Sequence, residues 1–325
     1  MSSQNKHVIC ITSCDRYLGH GIAHCLLHER KQRGHKYHVR VLARDTSNLG
    51  EFNKLGAEVI QIDYNKTDTI ERALTGSLWV LWIPESDNDR LHMAKTFADA
   101  AKKVSVSNLL FCSVLGADDA DEKCLREFRD MEKKAESAVD RHCILRSALA
   151  VQCLHHFSKR IVEKNQLTLP IRRDSRMAPI HLNDVFCTIH CIVYDGHGQL
   201  RNEMEKTHHK RHYTLTGPES ISAVTLIAMM NIVTDANVEF MEIKRRECEE
   251  YLRSCEDEKM IGLTKHGDQE SREDLFPNPP CPNQTEILTL CDMFDYIKSG
   301  KANYISGDVQ KITEHEPVPV ISYFK

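Results

Sequence analysis

The run Ser13-Cys14-Asp15-Arg16-Tyr17-Leu18-Gly19 follows an unbroken apolar stretch at residues 8–12 and leads into a helical pattern. A turn between a buried strand and a helix can aim backbone N–H groups and the helix N-terminus at a phosphate. The chemistry such a turn serves is the cradling of a pyrophosphate, as in a dinucleotide. Gly19 stands where helix and strand backbones must pack closely. Arg16 is bulky and can either crowd a pyrophosphate or pair with it. A second apolar stretch at 38–43 ends in Arg44, which is followed by Asp45. At this place an acid commonly binds the ribose 2′-hydroxyl of NAD, and an arginine accommodates the 2′-phosphate of NADP. Arg44 therefore tilts the expected cofactor to NADP, with Lys36, Arg40 and Lys66 adding positive field.

Other reactive groups are scattered. Ser113 ends a fifth apolar stretch, beside Cys112. Cys187 and Cys191 share a helix face by spacing, as do His208 and His212, but neither pair carries the fixed third and fourth ligands that zinc requires. No metal site is expected. The chain has no P-loop and no Gly-x-Ser-x-Gly elbow, which argues against an NTPase and a serine hydrolase. Arg146 and Asp184 lie in apolar settings, and a buried pair between Arg146 and a carboxylate such as Asp184 is expected.

The positioning elements follow from periodicity. Strands are expected at 8–12, 38–43, 57–62, 78–83, 108–114 and 142–148. Helices between them are expected at 19–29, 49–55, 68–74, 90–104 and 121–139. This alternation predicts an α/β fold, a Rossmann-like doubly wound parallel sheet. A smaller C-terminal α/β lobe should follow. The expected division is a nucleotide-binding core at 1–150 and a substrate or partner lobe at 151–325, with segments returning to the core. In the second half, helices are expected at 151–162, 183–193, 222–233, 245–254 and 287–298. Residues 195–211 read as an exposed loop and residues 265–281 as a linker, with a mobile lid as the alternative. The 325 residues are 41% apolar and 28% charged, with a net charge of −4, so nothing marks a general nucleic-acid binder. Thirteen cysteines, several in apolar elements, fit buried thiols in a reducing compartment. No apolar run is long enough to span a membrane. The expected location is the cytoplasm, with the nucleus as a second compartment.

The chain resembles the NmrA-like family of atypical short-chain dehydrogenases. The resemblance rests on Gly56-Ala57-Glu58-Val59 with Asp63, Cys143-Ile144-Leu145-Arg146, the segment from Met177 to Val185, and Tyr213-Thr214-Leu215-Thr216-Gly217-Pro218. In that family the first turn reads Gly-x-x-Gly-x-x-Gly. Those glycines fall on Ser13, Arg16 and Gly19, so two of three are replaced. The resemblance implies a cofactor site at Ser13, Asp15, Arg16, Tyr17, Leu18, Gly19, Arg44 and Asp63, and a weak or degenerate NADP site. Ordinary members of the superfamily use a Tyr-x-x-x-Lys pair on one helix face, in which lysine lowers the tyrosine pKa, with a serine binding the substrate oxygen. In the family frame Ser113 is that serine, but Phe128 and Glu132 occupy the tyrosine and lysine places. Lys133, like Lys134, is adjacent but rotated around the helix. The candidate cleft is thus Ser113, Phe128, Glu132 and Lys133, with no catalytic role assigned. The resemblance implies an NADP-binding redox sensor or regulator that acts on a protein partner. The alternative is an NADPH-dependent reductase of a small quinone, aldehyde or enone. A monomer or homodimer is expected.

Overall fold

The computed structural model describes residues 7–255, 276 and 279–325. The first half alternates as its apolar periodicity requires. Strand β1 (Val8–Ile11) leads to α1 (Tyr17–Arg33), β2 (His38–Ala43), α2 (Gly50–Lys54), β3 (Glu58–Gln61) and α3 (Thr67–Leu74). Then come β4 (Trp79–Trp82), α4 (Arg90–Lys103), β5 (Asn108–Val114), α5 (Lys123–Ala138) and β6 (His142–Ser147). A 3₁₀ segment at Val151–Phe157 runs into α6 (Ser158–Lys164), β7 (Gln166–Leu169), β8 (Arg176–Met177) and α7 (Leu182–Val193). The chain continues through β9 (Arg211–Leu215), β10 (Ile221–Ser222), α8 (Ala223–Thr234), β11 (Glu239–Glu242), α9 (Arg245–Ser254), α10 (Gln284–Lys298) and α11 (Asp308–Thr313).

Seven strands form the main sheet in the order β3-β2-β1-β4-β5-β6-β9. The pairings from β3 through β5 are parallel. Every residue of β1 and of β4 is buried, as expected of central strands covered on both faces. β3, at the edge, is half exposed. Sequence order reverses between β1 and β4, so a crevice opens at their carboxyl ends, the usual ligand place in such sheets.

The chain divides into two compact units. One holds the described residues up to Ser113 with Arg129–Leu145 and Phe186–Tyr213; the other holds Val114–Phe128, Arg146–Val185 and Thr214–Lys325. The second unit has its own core, in which Phe157 stacks on Tyr251 and meets Phe294 edge-on. Its parallel pair β7–β11 and antiparallel pair β8–β10 stand apart from the main sheet. Helix α8 is capped by Ser222, whose side chain accepts the Thr225 N–H. Helix α10 opens with a reciprocal capping box between Asn283 and Glu286.

Three local expectations differ from what the chain does. Helix α1 begins at Tyr17 rather than at Gly19, because the turn closes early: Arg16 N–H donates to Ser13 O at 3.0 Å. It then continues to Arg33, where Gly34 in the left-handed region (φ 67°) caps it. The expected helix at 151–162 is a 3₁₀ segment followed by the short α6. Residues 195–211 are not simply exposed. Leu200 and Met204 are buried, Trp79 Nε1 donates to Arg201 O at 2.6 Å, and Asn108 Oδ1 accepts the Met204 N–H at 2.8 Å. The sequence looked polar there because the anchoring groups belong to strands β4 and β5. Most of the expected linker at 265–281 lies outside the described residues.

Gly19 is the tightest point of the first βα turn. A Cβ there would stand 2.3 Å from Ser13 O and 2.6 Å from Thr12 O, both backbone atoms that cannot swing aside. Gly19→Ala is therefore expected to destabilise the fold by at least about 1–3 kcal/mol, the usual cost of overpacking. Denaturant unfolding monitored by circular dichroism checks this; an unchanged midpoint would contradict the close approach.

Candidate functional site

The crevice at the carboxyl ends of β1 and β4 is built from the residues that leave those strands. Thr12 Oγ1 donates to Ile83 O at 2.8 Å and accepts the Ile83 N–H at 2.8 Å, which stitches the two strand ends together. Ser13 takes φ 53°, a conformation usual for glycine, at the place where the first glycine of a dinucleotide turn is expected. Its hydroxyl lies 2.8 Å from Ile83 O and 3.1 Å from Glu85 Oε1. Arg16 is the N-cap of α1 in extended conformation, and Tyr17 and Leu18 form its half-buried first turn. Gly19 fills the close-packing place.

The charges around this turn are mixed. Glu85, just after β4, is 4% exposed. Its Oε1 accepts from Ser13 and, at 3.1 Å, from the Tyr64 hydroxyl, while Oε2 is buried without a partner. Burial and the neighbouring Asp15 push the Glu85 carboxyl up to about 7, against the pull of Ser13, Tyr64 and Arg44. Asp15 Oδ2 accepts the Asp45 N–H at 3.2 Å, and its Oδ1 is orphaned. Arg16 Nε is a buried donor without an acceptor. Arg44 pairs with Asp87 at 2.7 Å, so the expected 2′-phosphate partner already holds a carboxylate. The Asp89 N–H and Arg44 hold Asp87 below the usual carboxylate range. Asp63 serves its own turn: its carboxylate accepts the Asn65 N–H at 2.9 Å and lies 3.6 Å from Lys66 Nζ.

These residues fit a nucleotide in outline. The glycine-like Ser13, the Gly19 approach, the start of α1 and the orphaned Arg16 donor would cradle its diphosphate, and Arg44 would receive a 2′-phosphate if Asp87 released it. Sequence reasoning missed Glu85 and Asp87. The signal available was Pro84-Glu85-Ser86-Asp87 directly after a buried strand at the switch point.

A second cluster lies along α5. Ser113 donates to Glu132 Oε1 at 2.6 Å, so the structure brings together two members of the expected cleft. Glu132 is fully buried, and its Oε2 accepts from Arg129 at 2.9 Å. Arg129 also reaches Glu136 at 2.7 Å, and Glu136 lies 3.2 Å from His212 Nε2. Glu132, Glu136 and His212 could each turn an atom to one ion, but the Arg129 guanidinium already bridges the two carboxylates. Lys133 departs from the expected cleft. It is 59% exposed and pairs with Asp130 at 3.0 Å, because its helical position points it outward. Phe128, one turn before Glu132, is half-buried. His208 meets the Tyr213 hydroxyl at 3.0 Å, and His209 lies by Asp140, so each of these histidines is engaged separately. Arg146 pairs with Asp118, and Asp184 accepts the Val318 N–H at 2.9 Å. Arg146 thus has the carboxylate partner expected of it, supplied by the loop residue Asp118.

Glu132→Lys should be strongly destabilising, because it removes the partner of Ser113 and sets a second cation beside Arg129. Breaking a buried pair costs about 3–5 kcal/mol, and Glu132→Gln should cost clearly less. Chemical denaturation of both variants checks the ranking; equal stability of the lysine variant and wild type would contradict it.

Residues 20–147 match a family described as NAD(P)H-binding. That match begins one residue after Gly19, leaving the altered turn outside it, and includes Arg44, Glu85, Ser113 and Glu132. No curated protein sequence matches the chain. Among solved structures, the chain resembles triphenylmethane reductase of Citrobacter sp. complexed with NADP(H), at 14% identity, 98% coverage of both chains and a TM-score of 0.74. It also resembles a nucleoside-diphosphate-sugar epimerase of Staphylococcus aureus, at 15% identity over 98% of this chain and 99% of that one, with a TM-score of 0.73. An NADPH-dependent quinone oxidoreductase of Escherichia coli complexed with NADPH is similar at 18% identity over 97% and 98%, with a TM-score of 0.72. The fold is therefore the Rossmann-like α/β fold that these solved structures share, and residues 20–147 match the NAD(P)H-binding family.

Proposed function

We propose that this chain is an NADP(H)-binding protein that works as a redox-responsive regulator through a protein partner, without the proton relay of ordinary short-chain dehydrogenases. The observation that carries this reading is the buried Ser113–Glu132 pair, with half-buried Arg129 on the other carboxylate oxygen. A relay needs a phenol whose pKa a nearby cation lowers. Here the phenol place is Phe128, which has no transferable proton, and the cation place holds a carboxylate. The serine hydroxyl that would meet a substrate oxygen is bonded to that carboxylate. The nucleotide site is weak on the same reading: two of three turn glycines are replaced, and Arg44 must leave Asp87 before it can take a phosphate.

A second reading is an NADPH-dependent reductase of a quinone-like or dye-like substrate. The likeness in fold to a quinone oxidoreductase and a triphenylmethane reductase favours it. An acceptor that draws its proton from water would need only hydride transfer and a shaped cleft. The two readings separate on NADPH oxidation by wild-type protein against quinones, aldehydes, enones and triphenylmethane dyes, followed by absorbance. Bound NADPH with no turnover supports the regulator. Turnover that survives Phe128→Ala replaces it with the reductase.

Arg44→Ala should weaken NADP while leaving NAD nearly unchanged. A hydrogen bond to a charged group contributes about 1.5–3 kcal/mol, which is roughly tenfold to a hundredfold in affinity. Calorimetric titration with both cofactors reads the difference; equal losses would mean that Arg44 shapes the loop and does not read the 2′-phosphate.

A further inference from the structure

Glu85 occupies an unusual place for an acid. It leaves β4 at the switch point, directly across from Ser13, in the crevice where the diphosphate of a nucleotide would be received. A working cradle offers donors there. Glu85 offers a carboxyl group that is 4% exposed, with one oxygen bonded to Ser13 and Tyr64 and the other buried without a partner. An ionised carboxylate with a free oxygen at that point repels an anion in a poorly solvated setting. With a proton on Oε2, the same group becomes a neutral O–H donor, and a carboxylic acid kept neutral near pH 7 to donate a hydrogen bond is an attested device.

The groups facing Glu85 do not cancel its charge. The β1–α1 turn contributes Ser13, the Cys14 thiol and Asp15, of which the last is an acid. The β3–α3 loop contributes the neutral Tyr64 hydroxyl. The end of β2 contributes Arg44, whose guanidinium is shared with Asp87 from Glu85's own loop. Burial and Asp15 outweigh the Ser13, Tyr64 and Arg44 contributions, which leaves the carboxyl poised at about 7.

We propose that Glu85 is a nucleotide-contacting residue that accepts the ligand's diphosphate only in its protonated form, so that nucleotide binding takes up one proton. The proposal rests on the nucleotide reading above. In balance, carboxylate, proton and ligand combine into a complex of the neutral acid with the ligand, and no covalent bond changes.

NAD is the suitable probe, since it lacks the 2′-phosphate monoester that itself titrates near pH 6. Its Kd is measured by calorimetry on the full chain between about pH 6 and about pH 9, in buffers of different ionisation enthalpy. The expected result is a Kd that is flat on the acid side and rises by about tenfold per pH unit above the Glu85 midpoint, with net proton uptake. Glu85→Gln keeps a neutral donor, so it should bind NAD at the alkaline end more tightly than wild type, with a flat profile and no proton uptake. A Glu85→Gln variant that keeps the wild-type slope would assign the proton to another group and overturn the proposal. A flat wild-type profile would overturn it as well. Absence of NAD and NADP binding at every pH would overturn the nucleotide reading itself, and this proposal with it. A measurement without ligand guards the premise. The native carboxyl is raised above its ordinary 4.5, so its contribution to stability is present at low pH and is lost as pH rises from there through about 7. The melting temperature of Glu85→Gln relative to wild type should therefore increase from about pH 5 to about pH 8. A constant difference would show that Glu85 ionises without cost and would overturn the proposal.

Discussion

The first unit depends on one close approach of backbone to backbone. At Gly19 the carbonyls of Thr12 and Ser13 stand where any other residue would carry its Cβ. That contact lets α1 start against the end of β1, the arrangement that in dinucleotide folds aims a helix start at an anion. It also explains Ser13. With the helix pressed this close, the chain leaves β1 through the left-handed region, and Ser13 takes φ 53° although it is not glycine. The hydroxyl gives something in return, bonding across the crevice to the residues that follow β4. Thus Ser13 takes a conformation usual for glycine and adds a tie between the end of β1 and the residues after β4.

The same crevice sets attraction and repulsion for an anion side by side. Arg16, Arg44 and the start of α1 favour one; Asp15, Glu85 and Asp87 oppose it. Which side prevails depends on occupancy and protonation rather than on net charge. Arg44 is tied to Asp87, and Asp87 is in turn held by the Asp89 N–H, so freeing Arg44 means breaking an ion pair in a partly exposed setting. Such a pair is a modest barrier. Glu85 is deeper, and its charge is less screened.

Helix α5 shows how a buried carboxylate can be held by its neighbours. Glu132 is fully buried but not unpaired, since Ser113 serves one oxygen and Arg129 the other. Arg129 continues to Glu136, and Glu136 to His212. Removing one member would leave an uncompensated charge, so the network constrains its own replacement. Position 132 thus serves a polar network that joins β5 to α5.

What the sequence by itself determined were the features with local causes. Apolar runs of strand length, alternating with amphipathic stretches, specified the order of elements through β6, and β2, β5 and α9 begin and end where periodicity places them. Gly19 was legible because only a residue without Cβ suits that contact. The family frame grouped Ser113 with Glu132 in one expected cleft, but their mutual hydrogen bond was not legible. Tertiary structure decided the partners. Asp87 reaches Arg44 from 43 residues away and Glu85 reaches Ser13 from 72, each through the pairing of strands that are distant in sequence. Arg146 found Asp118 and Asp184 found a backbone amide because ionic partners are chosen by proximity in the folded chain, which one-dimensional spacing does not encode. Lys133 turned to solvent for the same reason that Glu132 turned inward: a helix rotates about 100° per residue, and only the packed sheet fixes which face is inside.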